Sequence, residues 1–343
     1  MKAIIFHQHG GPEVLTYQDV PDPSIGPTDV LVAVKACALN HLDLWVRRGL
    51  PGRSIPLPHI PGSDISGVVA AVGAAVTRVK PGERVMISPG LSCGQCPACL
   101  RGDDNLCRQY EIIGGYRRDG GYAQYVAVPE VNVIPLPDEI SFVEAAAFPL
   151  VFLTAWHMLV TRARIKPGED VLVMGAGSGV GMAAIQIAKL FNARVIATAG
   201  TDAKLEKARQ LGADDVINHT TSDILDEVKR LTDRRGVDIV IEHVGSAVFD
   251  KCVLSLAPGG RLVTCGATTG YEATVDIRYL FSRQLSLLGS FMGSKGELME
   301  AFRFFVAGRL KPVVDRTLPL VEAAVAHRLM EERQHFGKIV LVI

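Results

Sequence analysis

Residues 170–190 read DVLVMGAGSGVGMAAIQIAKL. The apolar run that opens this segment predicts a buried strand, and the apolar residues after the glycines predict a helix that ends at Leu190. Between them, glycines at 175, 177, 179 and 181 favour a tight connecting turn. A buried strand, a glycine-rich turn and a helix in this order are typical of the first unit of a doubly wound parallel sheet.

The alternation of strands and helices continues beyond this segment and predicts an α/β domain. Strands are predicted at 170–174, 194–198, 238–241, 261–264 and 285–288, and a second helix at 202–211. The first third instead has short β-branched runs between prolines and glycines, at 3–6, 30–36, 66–72 and 84–87, which indicate a small barrel or sandwich. The tail, with predicted helices at 297–306 and 321–333 and a strand at 338–342, is expected to return to this first domain.

Length and charge restrict the class of protein. The chain has 343 residues, enough for two domains at about 100–200 residues each. Its 36 basic residues balance 36 acidic ones, so it lacks the positive charge that draws proteins to nucleic acids and anionic membranes. The longest apolar stretches are interrupted by proline or glycine, and residues 1–10 lack the features of a secretory signal. We therefore expect a soluble, cytoplasmic protein that acts on a small-molecule substrate, without nucleic-acid or membrane partners.

The glycine-rich turn is the predicted dinucleotide site, because it joins a strand to a helix N-terminus at which backbone N–H groups receive a pyrophosphate. The spacing departs from GxGxxG: with Gly181 as the third glycine, Ala176 and Ser178 occupy the first two glycine positions. The predicted pyrophosphate-binding residues are Ala176, Ser178, Gly179, Val180 and Gly181.

The end of the second strand favours NADP(H) over NAD(H). An acidic residue is expected there to bind the ribose 2′-hydroxyl of NAD, but the sequence has Ala199 and Gly200 followed by Thr201. Without that carboxylate a 2′-phosphate has room, and Lys204 on the following turn supplies a positive charge. Asp202 argues for the alternative, since it would favour NAD(H) if it reached the ribose.

Four of the seven cysteines form a C-x2-C-x2-C-x7-C cluster in one loop. This spacing places four thiolates around a tetrahedral Zn²⁺, and four sulfur ligands leave no open position for water or substrate. An iron–sulfur cluster and free thiols are the alternatives. The predicted ligands of one structural zinc are Cys93, Cys96, Cys99 and Cys107.

Motifs spread over the whole chain together resemble the medium-chain dehydrogenase/reductase family, which contains zinc alcohol dehydrogenases and quinone oxidoreductases. They are residues 10–15 (GGPEVL), 62–76, 81–85 (PGERV), the four-cysteine loop, 153–155 (LTA), the glycine-rich turn and 337–340 (GKIV). The resemblance implies a GroES-like catalytic domain at 1–150, a Rossmann domain at 151–288, and a segment at 289–343 that completes the catalytic domain. It also implies a homodimer or homotetramer. It assigns the nicotinamide side of the cofactor site to Thr154, Gly266, Ser290 and Met292.

The resemblance also shows a departure from the alcohol dehydrogenases. Their catalytic zinc ligands correspond to Asn40, Ser63 and Leu150. None of these residues offers a thiolate, an imidazole or a carboxylate, so a catalytic zinc is predicted to be absent. The segments Asn40–His41–Leu42–Asp43 and Gly62–Ser63–Asp64 are instead similar to the zinc-free branch of quinone oxidoreductases and enoyl reductases.

Hydride addition to a quinone or to a conjugated alkene, such as an enone or an enoyl thioester, gives a delocalised oxyanion that hydrogen-bond donors stabilise without a metal. NADPH-dependent reduction of such a substrate is the leading hypothesis. Asn40 is the predicted donor to the substrate oxygen, and His41 is a proton source or phosphate contact. Asp43 and Asp64 are predicted to fix polar side chains nearby.

Two other functions stay open at this level. An alcohol dehydrogenase with an unusual second metal site would have His41, Asp43, His59 and Asp64 as its nearest donors. A non-catalytic NADPH-binding protein would have the same nucleotide fold, because such a fold does not by itself establish turnover.

The substrate depends on loops at 49–61 and 278–283, whose shape the sequence does not give. Three arginines lie in or just before the first loop: Arg47, Arg48 and Arg53. They are either solvated surface residues or an indication of an anionic or thioester substrate.

Overall fold

The computed structural model describes residues 1–50, 52 and 54–343. The chain forms two compact units that alternate along the sequence. Unit 1 contains Met1–Leu150, Ser294–Met299 and Lys311–Ile343, and unit 2 contains Val151–Gly293 and Glu300–Leu310. Unit 1 is therefore assembled from three separate segments of the chain.

The strands and helices are numbered here in chain order over the described residues. The strands are β1 (Lys2–Ile5), β2 (Thr16–Asp19), β3 (Asp29–Ala38), β4 (Asp64–Val72), β5 (Arg84–Ile87), β6 (Gly90–Leu91), β7 (Glu111–Ile112), β8 (Tyr125–Pro129), β9 (Val133–Pro135), β10 (Asp170–Val173), β11 (Arg194–Ala199), β12 (Asp215–Asn218), β13 (Val237–Glu242), β14 (Leu256–Thr264), β15 (Ser286–Gly289), β16 (Val314–Pro319) and β17 (Lys338–Val342). The helices are α1 (His41–Arg48), α2 (Pro97–Leu100), α3 (Phe142–Ala146), α4 (Pro149–Trp156), α5 (Gly179–Leu190), α6 (Asp202–Gln210), α7 (Ile224–Leu231), α8 (Phe249–Leu254), α9 (Ile277–Ser282), α10 (Lys295–Val306) and α11 (Ala323–Glu331). In the part of the chain that the structure describes, none of these helices has the length and apolarity needed to cross a bilayer.

The main sheet of unit 1 is organised around the long strand β3. The strand order is β16-β17-β3-β4-β5-β9, and β8 also pairs with β3. Val30, Val32 and Val34 alternate in β3 with less buried residues, which is the period expected of a strand with one face in the core. The last strand, β17, pairs with β3 in a register that sets Val340 opposite Ala38. The C-terminal tail therefore completes the sheet that the first third of the chain begins.

The sheet of unit 2 is parallel throughout, in the order β12-β11-β10-β13-β14-β15. Its central strands are apolar along their whole length because helices cover both faces of such a sheet. Leu172, Ile196, Val240 and Leu262, from four neighbouring strands, belong to one buried core. The chain order reverses between β10 and β13, as in a doubly wound sheet. The predicted fold class, a GroES-like β-rich domain with a Rossmann domain, is confirmed.

Several elements of unit 2 were not anticipated from the sequence: the strand β12 and the helices α7, α8 and α9. β12 reads DVIN, a short run with a polar residue at each end, which gives no clear period. Asp223 caps α7, and its carboxylate accepts hydrogen bonds from the N–H groups of Leu225 and Asp226. This cap and the helical spacing of Ile224, Val228 and Leu231 were a local signal for α7, whereas β12 is defined by its pairing with β11.

Candidate active site

The glycine-rich turn of unit 2 brings a helix N-terminus close to the carboxyl end of β10. Gly175 has a left-handed backbone, with a φ of 60°, which glycine adopts without strain. Ser178 caps α5, because its hydroxyl oxygen accepts the N–H of Gly181 at 2.9 Å. A Cβ atom on Gly181 would lie 2.4 Å from the carbonyl oxygen of Gly175, so only glycine allows this approach of helix to strand. The turn thus directs the positive end of α5 to the point where the strand order reverses.

A histidine that the sequence analysis missed stabilises this turn. His243 follows β13, the strand beside β10, and its Nε2 lies 2.9 Å from the carbonyl oxygen of Met174 and 3.1 Å from Oγ of Ser178. A carbonyl oxygen only accepts, so Nε2 carries the proton and donates. Burial lowers the pKa of His243, which keeps the ring neutral at neutral pH. The position of His243 at the carboxyl end of a predicted strand was the signal available in the sequence.

The predicted ribose site lies at the end of β11. Ala199 is buried and Gly200 follows it, so no side-chain carboxylate stands at the strand end. Thr201 caps α6, and its hydroxyl accepts the N–H of Lys204, which places this half-buried lysine on the first turn.

Two further residues, Asp202 and His219, lie near the end of β11. The carboxylate of Asp202 accepts a hydrogen bond of 2.8 Å from the amide of Asn218. A Cβ atom on Gly200 would lie 3.2 Å from Nε2 of His219, so the imidazole faces the glycine. His219 follows β12, the strand that the sequence analysis did not predict, and this explains why His219 was missed.

The residues assigned to the nicotinamide side also belong to unit 2. Gly266 follows β14 and Ser290 follows β15, so both stand at the carboxyl edge of the sheet. The buried hydroxyl of Ser290 has no hydrogen-bond partner within the described residues. Thr154 is buried in α4, and Met292 is buried with a left-handed φ of 53°, a conformation that costs a non-glycine residue energy. Unpartnered polar atoms and strained residues are found preferentially at functional sites.

In unit 1 the four predicted zinc ligands converge. The sulfur atoms of Cys93, Cys96, Cys99 and Cys107 all lie within 4.8 Å of one another. The Cys96–Cys99 and Cys93–Cys99 sulfur distances are 3.5 and 3.9 Å. A tetrahedron with metal–sulfur bonds of about 2.3 Å has edges of about 3.8 Å, so the spacing matches zinc. Within the described ranges 1–50, 52 and 54–343, no second group of three or more His, Cys, Asp or Glu side chains comes together in this way.

Backbone N–H groups of the cysteine loop stabilise thiolates, although burial and the neighbouring sulfurs of Cys93 and Cys96 raise the pKa of Cys107 to about 11. The N–H groups of Gln95 and Cys96 donate to the sulfur of Cys93 and lower the pKa of its thiol to about 6. The N–H of Gln109 donates to the sulfur of Cys107 at 3.3 Å. Because a zinc ligand must be deprotonated, these donors fit a loop that holds a metal cation.

A second cluster in unit 1 joins Asn40 and Asp64 to a lysine that was not predicted as a site residue. The ammonium of Lys338 donates to the amide oxygen of Asn40 at 2.6 Å and to the carboxylate of Asp64 at 3.0 Å. The amide nitrogen of Asn40 donates to the same carboxylate at 2.9 Å. All three side chains are buried, with exposures of 4% or less. The signal in the sequence was a charged residue at the start of the apolar strand KIVLV.

This cluster includes Asn40, the first of the three residues that the sequence analysis aligned with the zinc ligands of alcohol dehydrogenases. The backbone N–H of Leu150 donates to Asp64 at 2.9 Å, so two of the three positions meet at one carboxylate. The third, Ser63, is fully buried, and its hydroxyl has no partner among the residues that the structure describes. The charge of Asp64 is therefore balanced by an ammonium group.

The donors proposed for an unusual second metal site do not converge. Asp43 accepts the backbone N–H of Asn40 at 2.7 Å, and its other oxygen accepts that of Gly62 at 3.1 Å. His59 instead contacts the carbonyl of Gly114 and the carboxylate of Asp119. The imidazole ring of His41 packs edge-on against the ring of Trp45.

The first of the three arginines is not a surface residue. Arg47 is fully buried and donates to the carbonyl oxygen of Gly10 at 3.1 Å, to His327 and to Glu331. Arg48 is half exposed and also pairs with Glu331, at 2.6 Å. Arg53 lies outside the described residues. Arg47 is thus committed to internal contacts and does not meet a substrate.

Comparison with known proteins agrees with this geometry. Residues 26–138 match the family model of the alcohol dehydrogenase GroES-like domain, and residues 179–307 match that of the zinc-binding dehydrogenases. Human quinone oxidoreductase is 32% identical in an alignment of 351 positions that covers all of this chain and 98% of that protein. A crotonyl-CoA carboxylase/reductase of Cereibacter sphaeroides is 32% identical, in an alignment that covers 97% of this chain and 84% of the length of that protein. The crystal structure of an NAD-dependent alcohol dehydrogenase is 54% identical with full coverage of both chains, and its TM-score is 0.96.

Replacing Lys338 tests the importance of the buried cluster. Lys338→Met keeps the volume of the side chain but leaves Asp64 charged and buried, so we expect a loss of about 3–5 kcal/mol in the free energy of unfolding. Denaturant titration of the purified variant measures it. The double variant with Asp64→Asn should recover much of the loss, since the uncompensated charge is gone. A loss below about 1 kcal/mol for the single variant would show that the ion pair is not needed.

Proposed function

The chain belongs to the medium-chain dehydrogenase/reductase family, and on that premise we propose that it reduces an activated alkene or a quinone without a catalytic metal. It is an NAD(P)H-dependent oxidoreductase of this family. The proposed alkenes are enones and enoyl thioesters, in which a carbonyl group is conjugated to the double bond. Among the relatives, quinone oxidoreductase and crotonyl-CoA carboxylase/reductase carry names that fit these two substrate classes.

The observation that carries the proposal is the contact of Lys338 with Asn40 and Asp64. The carboxylate already has a cation, and neither Asn40 nor Ser63 offers the thiolate or imidazole that a catalytic zinc needs. Reduction of an unactivated ketone concentrates negative charge on one oxygen, which a metal commonly stabilises as a Lewis acid. A conjugated acceptor spreads that charge, so neutral hydrogen-bond donors are sufficient.

The chain has two donors suited to this task. The amide group of Asn40 has two N–H bonds, of which one is directed to Asp64 and the second is left for a substrate oxygen. The hydroxyl of Ser63 is buried and unpartnered among the described residues. When bound, the reduced nicotinamide supplies a hydride to the β-carbon of the alkene. The electrons of the double bond then move to the carbonyl oxygen beside these donors, and His41 delivers the proton that the α-carbon takes up.

A second candidate is the interconversion of alcohols and aldehydes. It is favoured by the identity of 54% to an NAD-dependent alcohol dehydrogenase. The buried ammonium of Lys338 argues against an alcohol dehydrogenase. Lys338 already neutralises Asp64, and an ammonium group has no open coordination position for a substrate oxygen.

Matched substrate pairs distinguish these candidates. We expect oxidation of NAD(P)H with 2-cyclohexenone to exceed that with cyclohexanone by more than about tenfold in kcat/KM, because only the enone gives a delocalised oxyanion. Asn40→Ala should lower kcat/KM for the enone about 100-fold by removing an oxyanion donor. Faster turnover of cyclohexanone, or of a primary alcohol with oxidised cofactor, would favour the alcohol dehydrogenase instead.

For the cofactor we propose NADP(H). The end of β11 has no carboxylate, Lys204 lies on the first turn of α6, and His219 faces Gly200. The exposed carboxylate of Asp202 is engaged by Asn218 rather than presented by the strand end. The name of the NAD-dependent structural relative is evidence on the opposite side.

Initial rates with the two cofactors test this proposal. We expect kcat/KM for NADPH to exceed that for NADH about tenfold or more, since Lys204 pairs with the 2′-phosphate. Lys204→Ala should reduce the preference about tenfold, whereas Lys207→Ala, on the exposed face of the same helix, should leave it unchanged. A tenfold preference for NADH would reject the proposal.

We further propose that the four-cysteine loop binds one structural Zn²⁺. The sulfur spacing and the N–H donors to Cys93 and Cys107 support a tetrahedral thiolate site. With four sulfur ligands the metal has no open position, so its contribution is to the stability of the loop.

Metal analysis checks the zinc site. We expect about one zinc per chain in protein purified without chelator, and a large loss of zinc with a lower melting temperature in Cys107→Ser. Cys265→Ser, in unit 2 and outside the cluster, serves as the control and should retain the metal. Less than half an equivalent of zinc in the unaltered protein would contradict the site.

A further inference from the structure

A row of buried polar side chains crosses unit 1 and ends at Asp43. The hydroxyl of Tyr122 lies 3.4 Å from Oδ2 of Asp43 and 3.3 Å from Nε2 of His327. The Nδ1 atom of His327 lies 3.0 Å from a guanidinium nitrogen of Arg47. Asp43, Tyr122, His327 and Arg47 have no exposed surface, and Arg47 continues to the half-buried Glu331. The row therefore runs without a break from the surface of unit 1 to Asp43.

The donors and acceptors along this row fit only one direction. A guanidinium group only donates hydrogen bonds, so Nδ1 of His327 accepts from Arg47 and has no proton. The proton of the neutral ring is then on Nε2, which donates to the oxygen of Tyr122. The hydroxyl hydrogen of Tyr122 is left to donate to Asp43. Each group in the row thus donates toward the carboxylate.

His327 does not reverse this direction by taking up a second proton. Burial, together with the charges of Arg47 and Arg48, lowers the pKa of His327 to about 3. The ring stays neutral at every pH at which the protein is expected to act, and its Nδ1 lone pair remains available to Arg47.

Asp43 is a group whose charge state needs such control. Burial raises its pKa to about 7, against the backbone N–H of Asn40 and the ammonium of Lys338, which favour the carboxylate. The charge of Asp64 acts with burial to raise it, and Tyr122 and the thiol of Cys37 are further titratable groups beside it. With all these groups in place the carboxyl group is near the midpoint of its titration at neutral pH, so the loss of one donor shifts it toward the protonated form.

A proton on Asp43 would conflict with the row. A protonated carboxyl group needs an acceptor, and the side-chain oxygen in contact with its Oδ2 atom is that of Tyr122. If Tyr122 accepted from Asp43 while His327 donates to it, its own hydrogen would have no acceptor. Arg47 blocks the alternative in which Tyr122 donates to His327 and the ring shifts its proton to Nδ1. Protonation of Asp43 therefore costs a buried hydrogen bond.

We propose that Tyr122, His327 and Arg47 are positioning residues, which hold Asp43 as a carboxylate so that it fixes the backbone of Asn40 and Gly62. The two oxygens of this carboxylate accept the N–H groups of Asn40 and Gly62, at 2.7 and 3.1 Å. These N–H groups flank the cluster formed by the side chains of Asn40, Asp64 and Lys338. The proposal rests on the proposed function, in which Asn40 donates to the substrate oxygen.

The test compares variants at Tyr122 and His327. Tyr122→Phe removes the donor to Asp43 at nearly constant volume, and His327→Leu breaks the row at its middle. In both we expect the acid limb of the pH profile of kcat/KM to move up by about one unit, so that activity falls about tenfold at pH 6 and little at pH 9. His327→Gln retains an acceptor for Arg47 and a donor for Tyr122, and should restore most of the original profile. Tyr125→Phe, the same change three residues further along unit 1, is the control and should leave it unaltered.

A second readout does not depend on turnover. The carboxylic acid C=O band of Asp43, assigned in difference infrared spectra by its absence in Asp43→Asn, reports protonation directly. We expect its midpoint to rise by about one pH unit in Tyr122→Phe and His327→Leu. One outcome is that the band shifts as expected while neither the unaltered protein nor any variant reduces enones or quinones. That result would support the role of the row and reject the proposed function. If the unaltered protein is active and neither the band nor the pH profile moves, the row is packing alone and the proposal is overturned.

Discussion

The buried contact between Lys338 and Asp64 is the interaction on which unit 1 depends. Its partners are 274 residues apart in the sequence, and their side chains are 2% and 0% exposed. Taking both charges out of water costs several kcal/mol per ion, which their attraction offsets only if the remaining hydrogen bonds are made. Asn40 and the N–H of Leu150 make them. The contact therefore requires β17 to begin beside the end of β3 and the start of β4, so the last strand is part of the cluster.

In the proposed function, the same contact limits the chemistry available at this place in the fold. An ammonium group on a four-carbon stem neutralises a carboxylate, but it has no vacant coordination position with which to polarise a substrate. The polar groups left for a substrate are neutral donors, the second N–H of Asn40 and the hydroxyl of Ser63. Donors of this kind suit an oxyanion whose charge is spread over several atoms. On this proposal, one side chain, Lys338, links the stability of unit 1 to the substrate class.

Much of the fold was accessible from local patterns. The glycine-rich turn and the alternation of strands and helices around it were correctly placed, because strand and helix periods and glycine spacing are local properties. β12 was missed because DVIN has no clear period, whereas α7 was missed although its Asp223 cap and apolar spacing are local signals. The interpretations offered for Arg47, solvent exposure or substrate binding, were wrong, because nothing around residue 47 indicates that His327 and Glu331 lie against it.

By itself, the sequence determined the family, the doubly wound sheet and the four-cysteine cluster, and it predicted that Asn40, Ser63 and Leu150 are not zinc ligands. These follow from residue type and spacing within short segments, where the chemistry is independent of distant partners. Only the tertiary structure decided what pairs with Asn40 and Asp64 and what surrounds Asp43. Lys338 and His327 reach these sites from the C-terminal tail, about 300 residues away from Asn40 in the chain. The physical reason is that a buried charge takes its properties from the groups that desolvate and pair it, and the chain brings those groups together only by folding.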